Sequence, residues 1–322
     1  MTRSTLPPTA LEHRRDLEAV AELHTLRDYW RWACSRFGEA GVALGQQATE
    51  TRDEALALIL ASLDLPPDQP EDWLDARLCT SERHQLVERI ERRCTERIPT
   101  AYLTGEAWLA GLRFRADPRA LIPRSLIAET LATALPDWLQ LNERDPDWPR
   151  QVLDLCTGGG SLAIVATQAF PGASVCASDL SADALALAAE NVADHGLADR
   201  LTLLRGDLFD PHAGQRFDLI LCNPPYVNAA SMARLPAEFR HEPTEALAGG
   251  VDGMDLVRRI IAQAGQHLSD QGLLILEIGH EAEHFERAFP QLEHHWLEVS
   301  AGERMVALIE AGALRRKSRS RR

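Results

Sequence analysis

Asn223, Pro224, Pro225 and Tyr226 follow directly on the apolar run FDLILC (217–222). A carboxamide, a carbonyl on a rigid corner and a phenol ring, set at the end of a buried strand, suit one kind of chemistry. Asn223 Oδ1 accepts one N–H and the Pro224 carbonyl accepts another, which orients a planar nitrogen and favours positive charge developing on it. Pro224 and Pro225 fix φ at successive positions, so the acceptors are in place before anything binds. Tyr226 adds a flat wall for a planar group. A plain proline turn would also end the strand, since neither proline can continue a central ladder. Such a turn has no use for the carboxamide or the phenol.

A second set of residues lies earlier in the chain. In VLDLCTGGGSLAI (152–164), Asp154 stands near the end of an apolar run and Gly158, Gly159 and Gly160 follow it. Small residues there let a ligand approach the backbone, and a helix starting at Ser161 offers free N–H groups. The spacing is not G-x-G-x-x-G, because position 163 is Ala. Asp179 closes the next apolar run, where a carboxylate can accept both hydroxyls of a ribose. Asp207, in GDLF (206–209), can accept from an adenine amino group, and Leu208 can pack on the ring. Taken singly, Asp179 and Asp207 are as well explained as helix caps or turn residues. As an ordered set they are not.

These residues need a parallel sheet to bring them together. From 151 onward, strand-like runs (151–156, 173–179, 200–207, 217–223, 272–279) alternate with helical ones (161–170, 181–196, 254–268). That alternation predicts a mostly parallel sheet covered on both faces, with ligands at the carboxyl ends of the strands. HHWLEVSA (294–301) and RMVALIEA (304–311) are joined too tightly for a parallel crossover and predict an antiparallel pair. Residues 1–99 read as a helical domain, with apolar positions at three- and four-residue spacing in 26–41, 51–65 and 81–98, the last capped by Ser81. Residues 100–125 read as a hairpin linker, 126–311 as the α/β domain and 312–322 as a basic tail.

Composition narrows the classes. The 322 residues carry a net charge of −14, with 34 Lys and Arg against 48 Asp and Glu. Six of those 34 lie in the last eight positions, RRKSRSRR, so the rest sets 28 basic residues against 48 acidic ones. An acidic body does not suit binding along a nucleic-acid backbone. The tail could touch RNA, but a solvated, disordered end is the preferred reading. The six cysteines, 34, 79, 94, 156, 176 and 222, form no C-x-x-C pair and fit free thiols in a reducing cytoplasm. The N-terminus has no apolar signal core and no run has the length of a membrane span, so a cytoplasmic location with no membrane partner is expected.

The ordered set from Asp154 to Leu208 resembles class I S-adenosylmethionine-dependent methyltransferases over roughly 120–311. The resemblance implies a Rossmann-like, seven-stranded α/β domain. It implies S-adenosylmethionine as cofactor, held by Asp154, Thr157, Gly158, Gly160, Asp179, Asp207, Leu208 and Asn223. Cys156 departs from the commoner glycine and is expected to narrow backbone freedom without blocking the site. N-P-P-Y corners also resemble those of enzymes that methylate adenine amines. The remainder of the chain, RIPTAYLTGEAWLAGLRF (97–114), LIPRS (121–125) and LPAEFRHEP (235–243), is similar instead to protein glutamine methyltransferases. Ser125 and Cys156 favour the branch acting on large-subunit ribosomal protein L-three over the branch acting on release factors. The resemblance thus implies methyl transfer to a glutamine N5. Asn223, Pro224 and Tyr226 would be catalytic, and Asn223, Pro224, Pro225 and Tyr226 would hold the substrate. The helical domain would recognise L-three, free or in an assembling subunit.

Two other readings are weaker. HEAEH (280–284) matches the zinc-protease pattern H-E-x-x-H, but it follows a strand and lacks a third ligand at a recognisable spacing. It is read as a solvated helix face, with no metal, and His195 and His241 as surface or capping residues. A cofactor-binding scaffold without turnover has no use for the acceptors at Asn223 and Pro224.

Overall fold

The computed structural model describes residues 8–68 and 70–319, and the chain divides into two units. One comprises Met1–Glu106 with Pro236–His241, the other Ala107–Leu235 with Glu242–Arg322.

The first unit is helical: α1 (Pro8–Glu22), α2 (Leu26–Ala40), α3 (Thr51–Ser62), α4 (Thr80–Thr95) and α5 (Thr100–Thr104). Tyr29, Phe37, Leu58, Ile59, Leu86 and Ile90 are buried together at its centre. Thr25 and Asp28 form a reciprocal capping box that starts α2. The N-cap of α4 is Cys79 rather than Ser81, because the Glu82 carboxylate accepts the Cys79 N–H at 2.7 Å. Helix α1 is additional to the three periodic stretches, its period obscured by charge. Arg93 is almost wholly buried and pairs with Glu54 at 2.9 Å. The inserted Pro236–His241 supplies Glu238, which accepts the Ala43 N–H at 2.9 Å and lies 3.3 Å from Arg97.

The second unit begins within β1 (Glu106–Leu109), at Ala107, and β1 pairs with β2 (Leu112–Arg115) as a two-stranded sheet across Ala110 and Gly111. Both turn residues have positive φ, as a type I′ hairpin turn requires. Helices α6 (Ile127–Ala132) and α7 (Ala134–Leu141) follow. The alternating region then runs β3 (Gln151–Leu155), α8 (Ser161–Ala169), β4 (Ser174–Asp179), α9 (Ala182–Asp194), β5 (Leu201–Arg205) and β6 (Phe217–Cys222). It continues through α10 (Ala229–Met232), α11 (Asp255–His267), β7 (Leu268–Glu277), α12 (Ala282–Ala288), β8 (His295–Val299), β9 (Gly302–Glu310) and α13 (Ala311–Arg319).

The seven strands stand in the order β5-β4-β3-β6-β7-β9-β8. Pairings from β5 through β7 are parallel, and β9 is antiparallel to both neighbours. The fold is therefore the α/β class expected, with the tight β8–β9 pair where the short connection demanded it. Strand side chains alternate between two cores. Val152, Leu219, Leu221 and Ile275 pack with α8 on one face, while Leu153, Ile220, Leu274 and Leu276 pack with α11 and α13 on the other. Burial on both faces is why these strands read as nearly continuous apolar runs. The order reverses between β3 and β6, and open α/β sheets bind ligands outside the strand ends at such a point.

The end of the chain is not free over 312–316. Leu314 is buried, and the Arg315 guanidinium donates to the carbonyls of Gly265 (3.0 Å), Leu268 (2.8 Å) and Ser269 (3.2 Å). Arg315 also pairs with Asp270 at 2.7 Å, and Arg316 pairs with Glu293. Apolar residues just ahead of the arginines draw this segment onto the sheet, which an expectation of a disordered end overlooks. The tail residues 320–322 lie outside the described residues. The six cysteines are free thiols.

Candidate active site

Strand β3 pairs Leu155 with Cys222 of β6, so the two strand ends that carry the candidate residues lie side by side. The chain then turns sharply. Cys156 has φ +63°, Gly158 +55° and Gly160 +80°. The left-handed conformation costs a non-glycine residue about 1–3 kcal/mol, so Cys156 does restrict the turn but adopts the geometry a glycine would have taken. A Cβ on Gly160 would stand 3.1 Å from Ala188 Cβ, so α9 packs directly on the turn. Asn191 of α9 is buried and staples it: its carboxamide donates to the Gly159 carbonyl at 2.8 Å and accepts the Arg115 N–H at 2.7 Å. Beneath the turn, Asp154 is fully enclosed and accepts from the Thr157 hydroxyl at 2.5 Å. Burial pushes its carboxyl up to about 7, although the Thr157 and Ala163 donors oppose the shift.

A cleft of about 520 Å³ opens beside this turn, within the range of sites for small molecules. Gly158, Asp179, Asp207, Leu208, Asn223 and Pro225 all line it. Asp179 ends β4 and each of its oxygens takes one backbone N–H, Gly158 at 2.9 Å and Ser181 at 2.9 Å. Asp207 carries an unanticipated partner, the Arg259 guanidinium at 2.7 Å. Leu208 is buried at φ +50° beside it. Asp154, Thr157 and Gly160 are not on the cleft wall and lie behind it, shaping the turn.

The proline corner leaves β6 at the same end of the sheet. Asn223 is half-buried and Pro224 buried. Val227 is pinned to the facing segment, its N–H donating to Leu247 and its carbonyl accepting from Gly249, both at 2.9 Å. Three glycines crowd Tyr226. A Cβ on Gly249 would lie 2.7 Å from Tyr226 Cα, one on Gly279 would lie 2.6 Å from Cε2, and one on Gly253 would overlap the Tyr226 carbonyl oxygen. The phenol donates to Glu277 Oε1 at 3.0 Å. Burial, and then the Glu277 charge, push the phenol well above the usual tyrosine range.

The His280–His284 motif takes a different shape from a solvated helix face. Its first glutamate, Glu281, is buried, accepts from the Asn228 carboxamide at 2.5 Å and contacts His284 Nδ1. His280 sits in a short 3₁₀ turn ahead of α12 and is exposed. Among the described residues no group of three or more His, Cys, Asp and Glu could hold a metal ion. His195 closes α9 with Nε2 at 2.8 Å from the Arg113 carbonyl, and His241 Nε2 lies 3.0 Å from the Glu96 carbonyl. Sequence reasoning passed over Asn191, Arg259 and Glu277. The signal for Glu277 was present, a lone carboxylate in the apolar run LLILEIG.

The Methyltransferase small domain family matches residues 138–250. The ribosomal protein uL3 glutamine methyltransferase of Bordetella pertussis is 54% identical over 288 residues, covering 89% of this chain and 95% of the relative. The enzyme of the same name from Burkholderia pseudomallei is 52% identical over 297 residues, 90% of this chain and 95% of its own. That from Neisseria gonorrhoeae is 44% identical over 292 residues, 91% and 96% respectively.

Proposed function

The chain belongs to the ribosomal protein uL3 glutamine methyltransferase family, and we propose that it transfers a methyl group from S-adenosylmethionine to the side-chain amide nitrogen of a glutamine in uL3. The observation that carries this reading is the single cleft shared by Asp179, Asp207 and Asn223. Two carboxylates, the half-buried Gly158 backbone and apolar walls would meet the polar and planar parts of that cofactor, so the residues present fit it. A Cβ on Gly158 would meet nothing within 4 Å, which leaves its backbone open to a ligand.

Bound S-adenosylmethionine supplies an electrophilic methyl group on a sulfonium. The chain's own residues must supply a poised nitrogen. An amide nitrogen is a weak nucleophile because its lone pair is delocalised into the carbonyl. Asn223 Oδ1 and the Pro224 carbonyl accept its two N–H groups, hold the lone pair toward the methyl and favour the charge that develops on nitrogen. Tyr226 bounds the planar amide, and Pro225 keeps the corner rigid. The nitrogen would take the methyl group the sulfonium supplies, and, made acidic by methylation, would lose a proton to water. Gly158, Asp179, Asp207 and Leu208 hold the cofactor, and Asp154, Thr157 and Gly160 shape the turn that carries Gly158.

The helical unit recognises the uL3 loop in this reading. A match over nine-tenths of the chain extends well into that unit, which supports a shared task for it. The substrate is uL3 free or in an assembling subunit, the place of action is the cytoplasm, and the basic tail adds weak RNA contact. No helix among the described residues is long and apolar enough to cross a membrane. The test is purified uL3 with isotopically labelled S-adenosylmethionine, read by peptide mass spectrometry. Label on a uL3 glutamine is expected. Label only on a release factor, or on adenine in RNA, would overturn the substrate assignment.

A further inference from the structure

Glu277, the last residue of β7, is buried in the sheet, yet both of its oxygens are engaged at the active-site end. Oε1 accepts from the Tyr226 phenol at 3.0 Å. Oε2 accepts from the Ser125 hydroxyl at 2.7 Å and from the Leu126 N–H at 2.9 Å. One carboxylate thus ties the aromatic ring of the proline corner to the turn that opens α6. The ring is confined from its other side by Gly279, two residues beyond Glu277, where even a methyl group would overlap it. The tyrosine is held by its tip and its edge, and both restraints come from the same stretch of chain. Nothing in the proposed chemistry uses Glu277 directly, and a buried carboxylate is costly unless its partners need it.

We propose that Glu277 is a positioning residue for methyl transfer, fixing the Tyr226 ring that bounds the substrate amide. The inference rests on the methyl-transfer reading of the site. A leucine at 277 offers neither acceptor nor donor, so the phenol loses its tether and the ring gains freedom. Misplacement of a positioning group by an ångström costs on the order of 10²-fold in rate.

The test compares Glu277→Leu, Tyr226→Phe and the double variant, with Ile275→Val on the same strand as a control for lost packing. Each enzyme is assayed on uL3, and its affinities for S-adenosylhomocysteine and for uL3 and its melting temperature are measured separately. Glu277→Leu and Tyr226→Phe should each lower kcat by roughly 10- to 100-fold. KM and both affinities should stay within about twofold. The double variant should be no slower than the slower single one, since both act through one contact. Ile275→Val should lower the melting temperature and leave kcat unchanged. Losses that multiply in the double variant, or single variants with normal kcat, would overturn the role. If Glu277→Leu does not fold, a normal kcat in Tyr226→Phe overturns it alone. A wild-type enzyme that labels no uL3 would instead reject the underlying reading.

Discussion

The Asp179 carboxylate accepts the Gly158 N–H at 2.9 Å, linking the end of β4 to the glycine turn after β3. The residue offered to the ribose therefore also sets the backbone offered to the rest of the cofactor. Asp179→Ala should weaken S-adenosylhomocysteine binding by roughly 10- to 100-fold, since hydrogen bonds to a charged group contribute about 1.5–3 kcal/mol. Calorimetry reads the affinity, and circular dichroism should show an intact fold. Unchanged affinity would remove Asp179 from the binding site.

Asn223→Ala removes one of the two acceptors for the target nitrogen. The expected loss in kcat is on the order of 10²–10³, with cofactor affinity preserved. Single-turnover assays on uL3 separate the two. Near-normal turnover would mean that the carboxamide does not hold the amide.

Gly279 has φ +51° and no room for a methyl group beside Tyr226. Gly279→Ala should destabilise the enzyme by about 1–3 kcal/mol and reduce kcat as the ring is displaced. Gly172→Ala, where a Cβ meets nothing within 4 Å, is the matched control. Equal behaviour of the two variants in urea unfolding and in turnover would show that Tyr226 is not confined there.

Asp154 carries a pH signature. Its folded-state value of about 7 stands above the 3.8 of an exposed aspartate. The folded chain therefore keeps a proton that the unfolded chain releases. This contribution is fully present below about pH 4 and is lost as pH rises through about 7, on the order of 4 kcal/mol in all. Asp154→Asn should flatten the dependence, with a residual slope of the same sign from Glu277, which burial also pushes up. Urea unfolding at pH 5, 6, 7 and 8 measures both slopes. Parallel slopes would show that Asp154 is ionised in the folded protein throughout.

Much of this architecture is legible in the residues because doubly buried parallel strands write themselves as short apolar runs, and glycine or proline marks where they stop. The runs at 151–156 and 217–223 give β3 and β6, and with them the position of the corner. Contacts between distant residues leave weaker marks. Asn191 looks like any polar residue on a helix, and only the folded chain shows its carboxamide holding Gly159. Arg259 beside Asp207 is a pair 52 residues apart in sequence. In the stretch from Gly249 to Gly253, Gly249 and Gly253 have no room for a side chain beside the Tyr226 backbone, and Gly250 has none beside Asp255. Where the tail begins, the expectation of disorder fails for a related reason: six cations in eight residues dominate a composition reading, and three apolar neighbours at 311, 313 and 314 decide the packing at Arg315 and Arg316.

Arg315 bears on how that tail can be studied. Its guanidinium closes the carbonyl end of α11, the helix that also carries Arg259 and Leu256 to the cleft. A deletion starting at 315 therefore strips a clasp from an active-site helix along with the polyelectrolyte beyond it, and any loss of ribosome binding would have two origins. Cutting after Arg316 spares the clasp. An affinity tag appended to the last residue leaves it in place as well, whereas one fused directly to Leu314 does not.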